Sequence, residues 1–264
     1  MGQYYKYVNL DKNEYITSWD YNNGAKLMES CYIKNNFQTA FKNLLSTSWN
    51  GDNIIYCGDY AWEDGYAPLI KDKFGLEEDP YDMAHANDIN DDRYDSDNNW
   101  HAVKADEVEK LVNEYGLSEY PRYALNHTKK QYIDQTTGPV SWVWFDKNDK
   151  PSDYVYTKDD ISVARYDELP LLLAVGNGLG GGDYCGPNEN MIGYWAGDDI
   201  ELCDEVPNGY EILFPVFDEL GIFVEASDED IIEYCLENKL MDKHYCLDTK
   251  EKLLDLRDGI AKIA

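Results

Sequence analysis

The chain has 264 residues, with 23 Lys plus Arg against 52 Asp plus Glu, a net charge of −29 and a pI of about 4.2. This balance excludes a conventional nucleic-acid reader or a binder of anionic membranes, because both need a concentrated cationic surplus and the longest basic cluster is Lys129-Lys130. With 43% hydrophobic and 14% aromatic residues, including 23 Tyr and 7 Trp, the sequence is also too apolar for a disordered acidic tail and long enough to bury a core.

The first predicted element is a β-hairpin. Apolar Tyr5, Tyr7, Tyr15 and Ile16 flank the polar run Asn9-Leu10-Asp11-Lys12-Asn13. A helix is predicted from Asn23-Gly24 to Leu45, because Leu27, Met28, Cys31, Phe37, Phe41, Leu44 and Leu45 recur at helical spacing. Trp49-Asn50-Gly51-Asp52-Asn53 then reads as a tight turn, and Ile54-Ile55-Tyr56-Cys57 as a short strand. The acidic stretch from Asp79 to Trp100 reads as a surface loop. Ala105 to Tyr115 is a predicted helix with Val108, Leu111, Val112 and Tyr115 on one face.

The second half repeats signals of the first. Arg122 to Ile133 matches Lys6 to Ile16 if one residue is inserted. Residues 195–205 match residues 49–59 as W-x-G-D-[ND]-I-x-x-C-x-[DE]. Two matches in the same order predict a duplicated unit of β-hairpin, helix, turn and strand. Near the C-terminus, Ser227 with Asp230 and then Asp248 read as N-caps of two helices. The predicted fold class is α+β: two duplicated units with antiparallel sheet, followed by a C-terminal helical hairpin. The expected organisation is a first unit over 1–78, an acidic loop and helix linker over 79–118, and a second unit with the C-terminal helices over 119–264.

The opening Met1-Gly2-Gln3-Tyr4-Tyr5-Lys6-Tyr7-Val8-Asn9-Leu10-Asp11-Lys12 resembles a family of bacterial and phage proteins that begin MGQYW-x-x-VNLDK. In that family a Gly-Leu-Lys-Leu stretch, an N-G-x-G-G-G-D loop and I-G-x-W-A-G-D-x-I follow. Gly24-Ala25-Lys26-Leu27 is similar to the first of these, Asn177 to Asp183 to the second, and Ile192 to Ile200 to the third. The resemblance covers about residues 1–64 and 120–206. It implies an organisation rather than a chemistry. The Gly-rich loop is a departure, since it stands only in the second half and Ser46-Thr47-Ser48 takes its place in the first.

Several groups are candidates for chemistry. Gly176, Gly178 and Gly181 satisfy G-x-G-x-x-G, but Asp183-Tyr184-Cys185-Gly186-Pro187 follows, where a dinucleotide fold needs a helix N-terminus for the pyrophosphate. Flexible glycines can still admit an uncharged ligand close to the backbone. The candidate binding residues of that loop are Asn177, Gly180 and Asp183. Asp52 and Asp198 project from matching turns, where they either cap the turn or converge on a ligand, and Trp195 is a candidate platform beside them. Asp95, Asp97, Asn99 and Asp106 offer oxygens at calcium-loop spacing, a weak divalent-cation candidate without the turn Gly or the bidentate Glu. No other cofactor is expected. His85, His101, His127 and His244 show no paired spacing, and no nucleophile-elbow motif occurs.

The six Cys lack zinc-ligand spacing, and neither an export signal nor a membrane-length apolar run is visible, so free thiols and a cytoplasmic location are expected. The expected function is that of an acidic, non-enzymatic interaction protein that occludes a basic macromolecular partner, such as a nucleic-acid-binding host protein, in the manner of an inhibitor, immunity or anti-defence protein. Asp91 and Asp92 of the acidic loop are candidate contact residues. The alternatives are a small-ligand-binding or metal-assisted enzyme centred on the Gly178–Asp183 loop, and a structural homodimer.

Overall fold

The computed structural model describes residues 3–32, 35–62, 67–89, 100–135, 140–144, 156–158, 161–176, 184, 189–213 and 244–246. The C-terminal helical hairpin, the Gly178–Asp183 loop and the acidic run 90–99 lie outside them. The fold is α+β. β1 (Tyr5–Asn9) and β2 (Glu14–Thr17) form the N-terminal hairpin, with Asn9 opposite Glu14. After a 3-10 turn at Ser18–Tyr21 come α1 (Leu27–Ser30) and α2 (Asn36–Leu45). The single helix expected over 23–45 is therefore interrupted. Asn35 is extended, and its side chain accepts from Phe37 N and Gln38 N, an N-cap that restarts the helix.

β3 (Ile54–Gly58) pairs antiparallel with β1. Two helices follow, α3 (Ala67–Phe74) and α4 (Pro80–Ile89). The second corrects the surface loop expected from Asp79. Asp79 Oδ1 accepts the Tyr81 amide at 2.8 Å and Pro80 opens the first turn, the order of cap and proline that starts a helix. β4 (His101–Ala102) adds parallel to β2, and α5 (Ala105–Tyr115), closed by Gly116 at φ 67, packs against α2. Much of the segment read as a linker thus supplies an edge strand and helices to the first sheet.

Burial holds the Asp79 carboxyl up at about 6, against an ordinary 3.8, with Asp82 and Asp59 adding repulsion and the Tyr81 amide opposing. The folded value lies above the unfolded one, so the native state binds the extra proton. Stability therefore falls as pH rises from about 4 to about 6, and the penalty persists above that. Asp79→Asn keeps a cap acceptor without the charge. At pH 7 it is expected to stabilise by about 1–2 kcal/mol after solvent screening of this half-buried group, and to add nothing below about pH 4. Thermal unfolding at the two pH values checks this, and an equal gain at both would contradict it.

The second half begins with the hairpin β5 (Tyr123–Asn126) and β6 (Gln131–Asp134). β7 (Val140–Trp144), β8 (Tyr156–Lys158) and β9 (Ile161–Arg165) follow. The chain continues through α6 (Glu168–Leu173), β10 (Ala174–Val175), β11 (Ile200–Cys203), β12 (Glu211–Ile212) and β13 (His244–Cys246). Among the described residues the strands form three sheets, ordered β10-β3-β1-β2-β4, β11-β5-β6-β12 and β13-β7-β9-β8. The third was not anticipated from the sequence. In the first two, the inner pairs are antiparallel but β10, β4 and β12 add in parallel, so these sheets are mixed rather than purely antiparallel.

One core gathers the inner faces of both hairpin sheets: Tyr7, Phe37, Phe41, Trp49 and Tyr56 meet Ala124, Ile133, Leu172, Trp195 and Leu202. The Tyr7 ring stacks on Phe41 at 3.6 Å and on Tyr56 at 4.0 Å. A second core fills the outer face of the first sheet, where Val8, Tyr15, Ile55 and Cys57 meet Ile70, Tyr81, Ala84 and Trp100. β1 and β3 are accordingly buried along their whole length. Even Lys6 is buried, its ammonium 4.7 Å from the Tyr81 ring centre. Cys31, Cys57 and Cys203 are free thiols. Burial raises all three, which disfavours the reactive thiolate. Cys203 is only half-buried, whereas Cys31 and Cys57 are buried. Among the described residues, no helix is long and apolar enough to cross a membrane.

Candidate functional site

The residues shared by the two sequence matches meet in one hydrogen-bonded clasp per hairpin sheet. In the first sheet Asn9 is fully buried at the end of β1. Its Oδ1 accepts the amides of Asp11 and Lys12 at 3.0 and 3.1 Å, which closes the hairpin turn. Its Nδ2 donates to Asp52 at 2.7 Å, and the Lys12 ammonium pairs with the same carboxylate. Gly51, at φ 79, supplies the left-handed residue that aims Asp52 at this point. Trp49 then donates its indole N–H to Glu14 at 2.6 Å.

The second sheet carries the same set. Asn126 accepts the Lys129 amide at 2.8 Å and donates to Asp198 at 2.9 Å, while the Lys129 ammonium pairs with Asp198. Gly197 has φ 73, and Trp195 donates to Gln131 at 3.2 Å. The ladders agree residue for residue: Asn9 faces Glu14 and Ile54, and Asn126 faces Gln131 and Ile200. Both hairpins have a left-handed residue in the turn, Asn13 at φ 54 and Lys130 at φ 56. This register sets Asn9 against Asn126 without the inserted residue that the sequence match required. The clasps explain why the two segments share an Asn, a Lys, a Trp and a Gly-Asp pair.

These contacts define what the candidate residues do within the chain. Asp52 and Asp198 each hold an asparagine and a lysine, and Asp198 also takes the Lys73 ammonium at 3.4 Å. Trp49 and Trp195 are 0% exposed, so neither presents a ring face to solvent. Asp106 pairs with Lys110 at 2.9 Å on the surface of α5. Asn177, Gly180, Asp183, Asp91, Asp92, Asp95, Asp97 and Asn99 lie outside the described residues. Among the described residues, no group of three or more His, Cys, Asp or Glu is placed to hold a metal ion.

A polar relay that the sequence did not suggest stands on the outer face of the second sheet. His127 Nε2 lies 2.8 Å from Glu201 Oε2, and Nδ1 lies 2.5 Å from the Tyr210 hydroxyl. Lys130 Nζ adds a bond to the same hydroxyl at 3.2 Å. A neutral imidazole here donates to one partner and accepts from the other. The positions that correspond in the first sheet are Leu10, Ile55 and Trp100, all packed in the second core. The difference follows from the connections: 59–100 carries α3 and α4 over the first sheet, whereas 204–210 joins β11 to β12 directly. One signal was present in the sequence, namely Glu201 standing where the first match has Ile55. His127 itself has no partner nearby in sequence, so spacing did not single it out.

A second unanticipated group is a buried ion pair. Lys42 Nζ of α2 lies 2.5 Å from Asp167 Oδ2, and both side chains are 1% exposed. The Tyr120 ring covers the ammonium at 4.9 Å. Asp167 also caps α6 by accepting the Leu169 amide at 3.2 Å, and its own amide donates to the Cys31 carbonyl. The pair ties the main helix of the first half to a segment of the second.

No known protein family, curated protein or solved structure matches this chain.

Proposed function

We propose that this protein is an acidic, non-enzymatic interaction protein that binds and occludes a basic macromolecular partner, of the inhibitor, immunity or anti-defence type. The observation that carries this reading is the net charge of −29. Internal pairing cannot absorb it. Lys12, Lys42, Lys71, Lys73, Lys104, Lys110, Arg122 and Lys129 are already held by carboxylates of the chain. The surplus acids are left for an outside cation. Exposed rings support a binding surface: Trp19 is 64% exposed with Tyr4 packed edge-on against it, and Tyr115 and Tyr194 are also exposed. Such rings supply rigid contact area and stack well on arginine.

Long-range attraction sets the test. The immobilised protein is expected to retain basic nucleic-acid-binding proteins from a bacterial lysate. Their association rates should fall steeply as salt rises from about 0.01 to about 1 M, which shortens the screening length from about 30 to about 3 Å. Retention only of neutral or acidic proteins, indifferent to salt, would overturn the reading.

The scaffold behind this surface is proposed to be a duplicated unit, with residues 3–60 and 120–206 as its two copies. The matching ladders, the paired clasps and the two left-handed turn residues support it. The second copy differs in carrying β7, β8, β9 and β10 between its hairpin and its Trp-Gly-Asp turn, and in its outer face, where the relay stands.

A further inference from the structure

We propose that the outer edge of β11 is a docking slot, to which an extended basic segment of the partner adds as a parallel fifth strand. This inference rests on the basic-partner reading above and gives it a location. The first sheet supplies the precedent. There β10 lies parallel beside β3, with Ala174 against Tyr56 and Val175 against Cys57. Shared register with the hairpin places Leu202 and Cys203 where Tyr56 and Cys57 stand. In the second sheet the order begins at β11, and among the described residues no strand lies beyond it.

The ladder phase determines which backbone groups face that slot. The His127 amide donates to the Asp199 carbonyl, so these two form a hydrogen-bonded pair just past the strand ends. In an antiparallel ladder such pairs alternate, and the next are Leu125 with Glu201 and Tyr123 with Cys203. Ile200 and Leu202 therefore turn their N–H and C=O groups outward. Among the described residues no backbone group pairs with them there, and a row of such groups is a template for strand addition.

Charge selects the occupant. Asp199, Glu201, Asp204 and Glu205 lie on or beside this short strand, and Asp199, Asp204 and Glu205 are exposed. No Lys or Arg occurs between residues 199 and 205. Glu201 is held by His127, and Asp204 accepts the Arg122 amide at 3.3 Å. A second copy of the chain would bring the same acids face to face, which disfavours self-pairing. A strand of alternating Arg or Lys and β-branched residues fits both the backbone row and the rim.

The test uses the full chain and a synthetic peptide alternating arginine with valine. Its partner probe is the same peptide N-methylated at alternate residues, which keeps the charge but removes donors along one edge. The unmodified peptide is expected to bind at least about tenfold more tightly. Leu202→Pro removes one outward N–H and leaves the inward ladder intact, so it should weaken the unmodified peptide to a similar degree. The N-methylated probe decides the matter even if that variant folds poorly. Equal binding of the two peptides to the wild-type chain would overturn the docking slot and leave the basic-partner reading standing. Failure of both peptides and of cationic proteins to bind at low salt would overturn both. A dimer in solution that Leu202→Pro dissociates would assign the slot to a second copy and overturn this proposal.

Discussion

Lys42→Met is expected to destabilise the fold by about 3–5 kcal/mol, because it leaves the Asp167 carboxylate buried without its cation. Both side chains are 1% exposed, and the ammonium and carboxylate touch without a well-aligned N–H···O bond. The charge that remains would sit beside groups that burial and Asp167 already hold neutral, the Tyr7 phenol and the Cys31 thiol. Asp167→Asn should cost a comparable amount by stranding the lysine, although its carbonyl can still cap α6. The double variant Lys42→Met/Asp167→Asn removes both charges and is expected to recover most of the loss. Urea unfolding of the four proteins closes the cycle. A double variant as unstable as the sum of the singles would mean that the two charges do not interact.

Trp49→Ala and Trp195→Ala are each expected to cost about 3–5 kcal/mol, the range for emptying a large aromatic site in a packed core. Both indoles are 0% exposed, and Trp49 meets Phe41 edge-on at 6.4 Å. The phenylalanine variants separate volume from hydrogen bonding. Trp49 donates to the Glu14 carboxylate at 2.6 Å, whereas Trp195 donates to the Gln131 amide at 3.2 Å. Bonds to a charged acceptor contribute about 1.5–3 kcal/mol and neutral ones about 0.5–1.5 kcal/mol. Trp49→Phe should therefore be the more damaging of the two, read from the shift in denaturant midpoint at constant slope. The reverse order would show that packing, not the indole bond, separates the two sites.

Local patterning accounts for the elements that were legible in the sequence. The hairpin turn at Asn9–Asn13, the α5 helix and the short strand after Trp49 each declare themselves within a dozen residues, by alternation, helical spacing or turn chemistry. The W-x-G-D match and the Asn and Lys of the hairpin turns were legible for the same reason, since each residue has one fixed task in a clasp. Where competing local signals met, the reading failed. Asn35 restarted a helix inside an apolar stripe that looked continuous, and Asp79-Pro80 opened a helix inside an acidic stretch read as a loop.

Long-range closure decided everything else. The Lys42–Asp167 pair joins residues from the two halves of the chain, and a lone lysine on an amphipathic helix carries no mark of its partner. The His127 relay assembles from β5, β11 and the segment before β12, so no spacing along the chain can encode it. Whether a sheet face is buried also depends on the connection that follows. Helices between β3 and β4 cover the first sheet, whereas the short link from β11 to β12 carries no helix over the second. Composition determined that the protein is acidic and folds around a core. Only the tertiary structure decided which of its acids hold the fold together and which strand edge they surround, because hydrogen-bond partners and burial are properties of contacts between distant segments rather than of residue types.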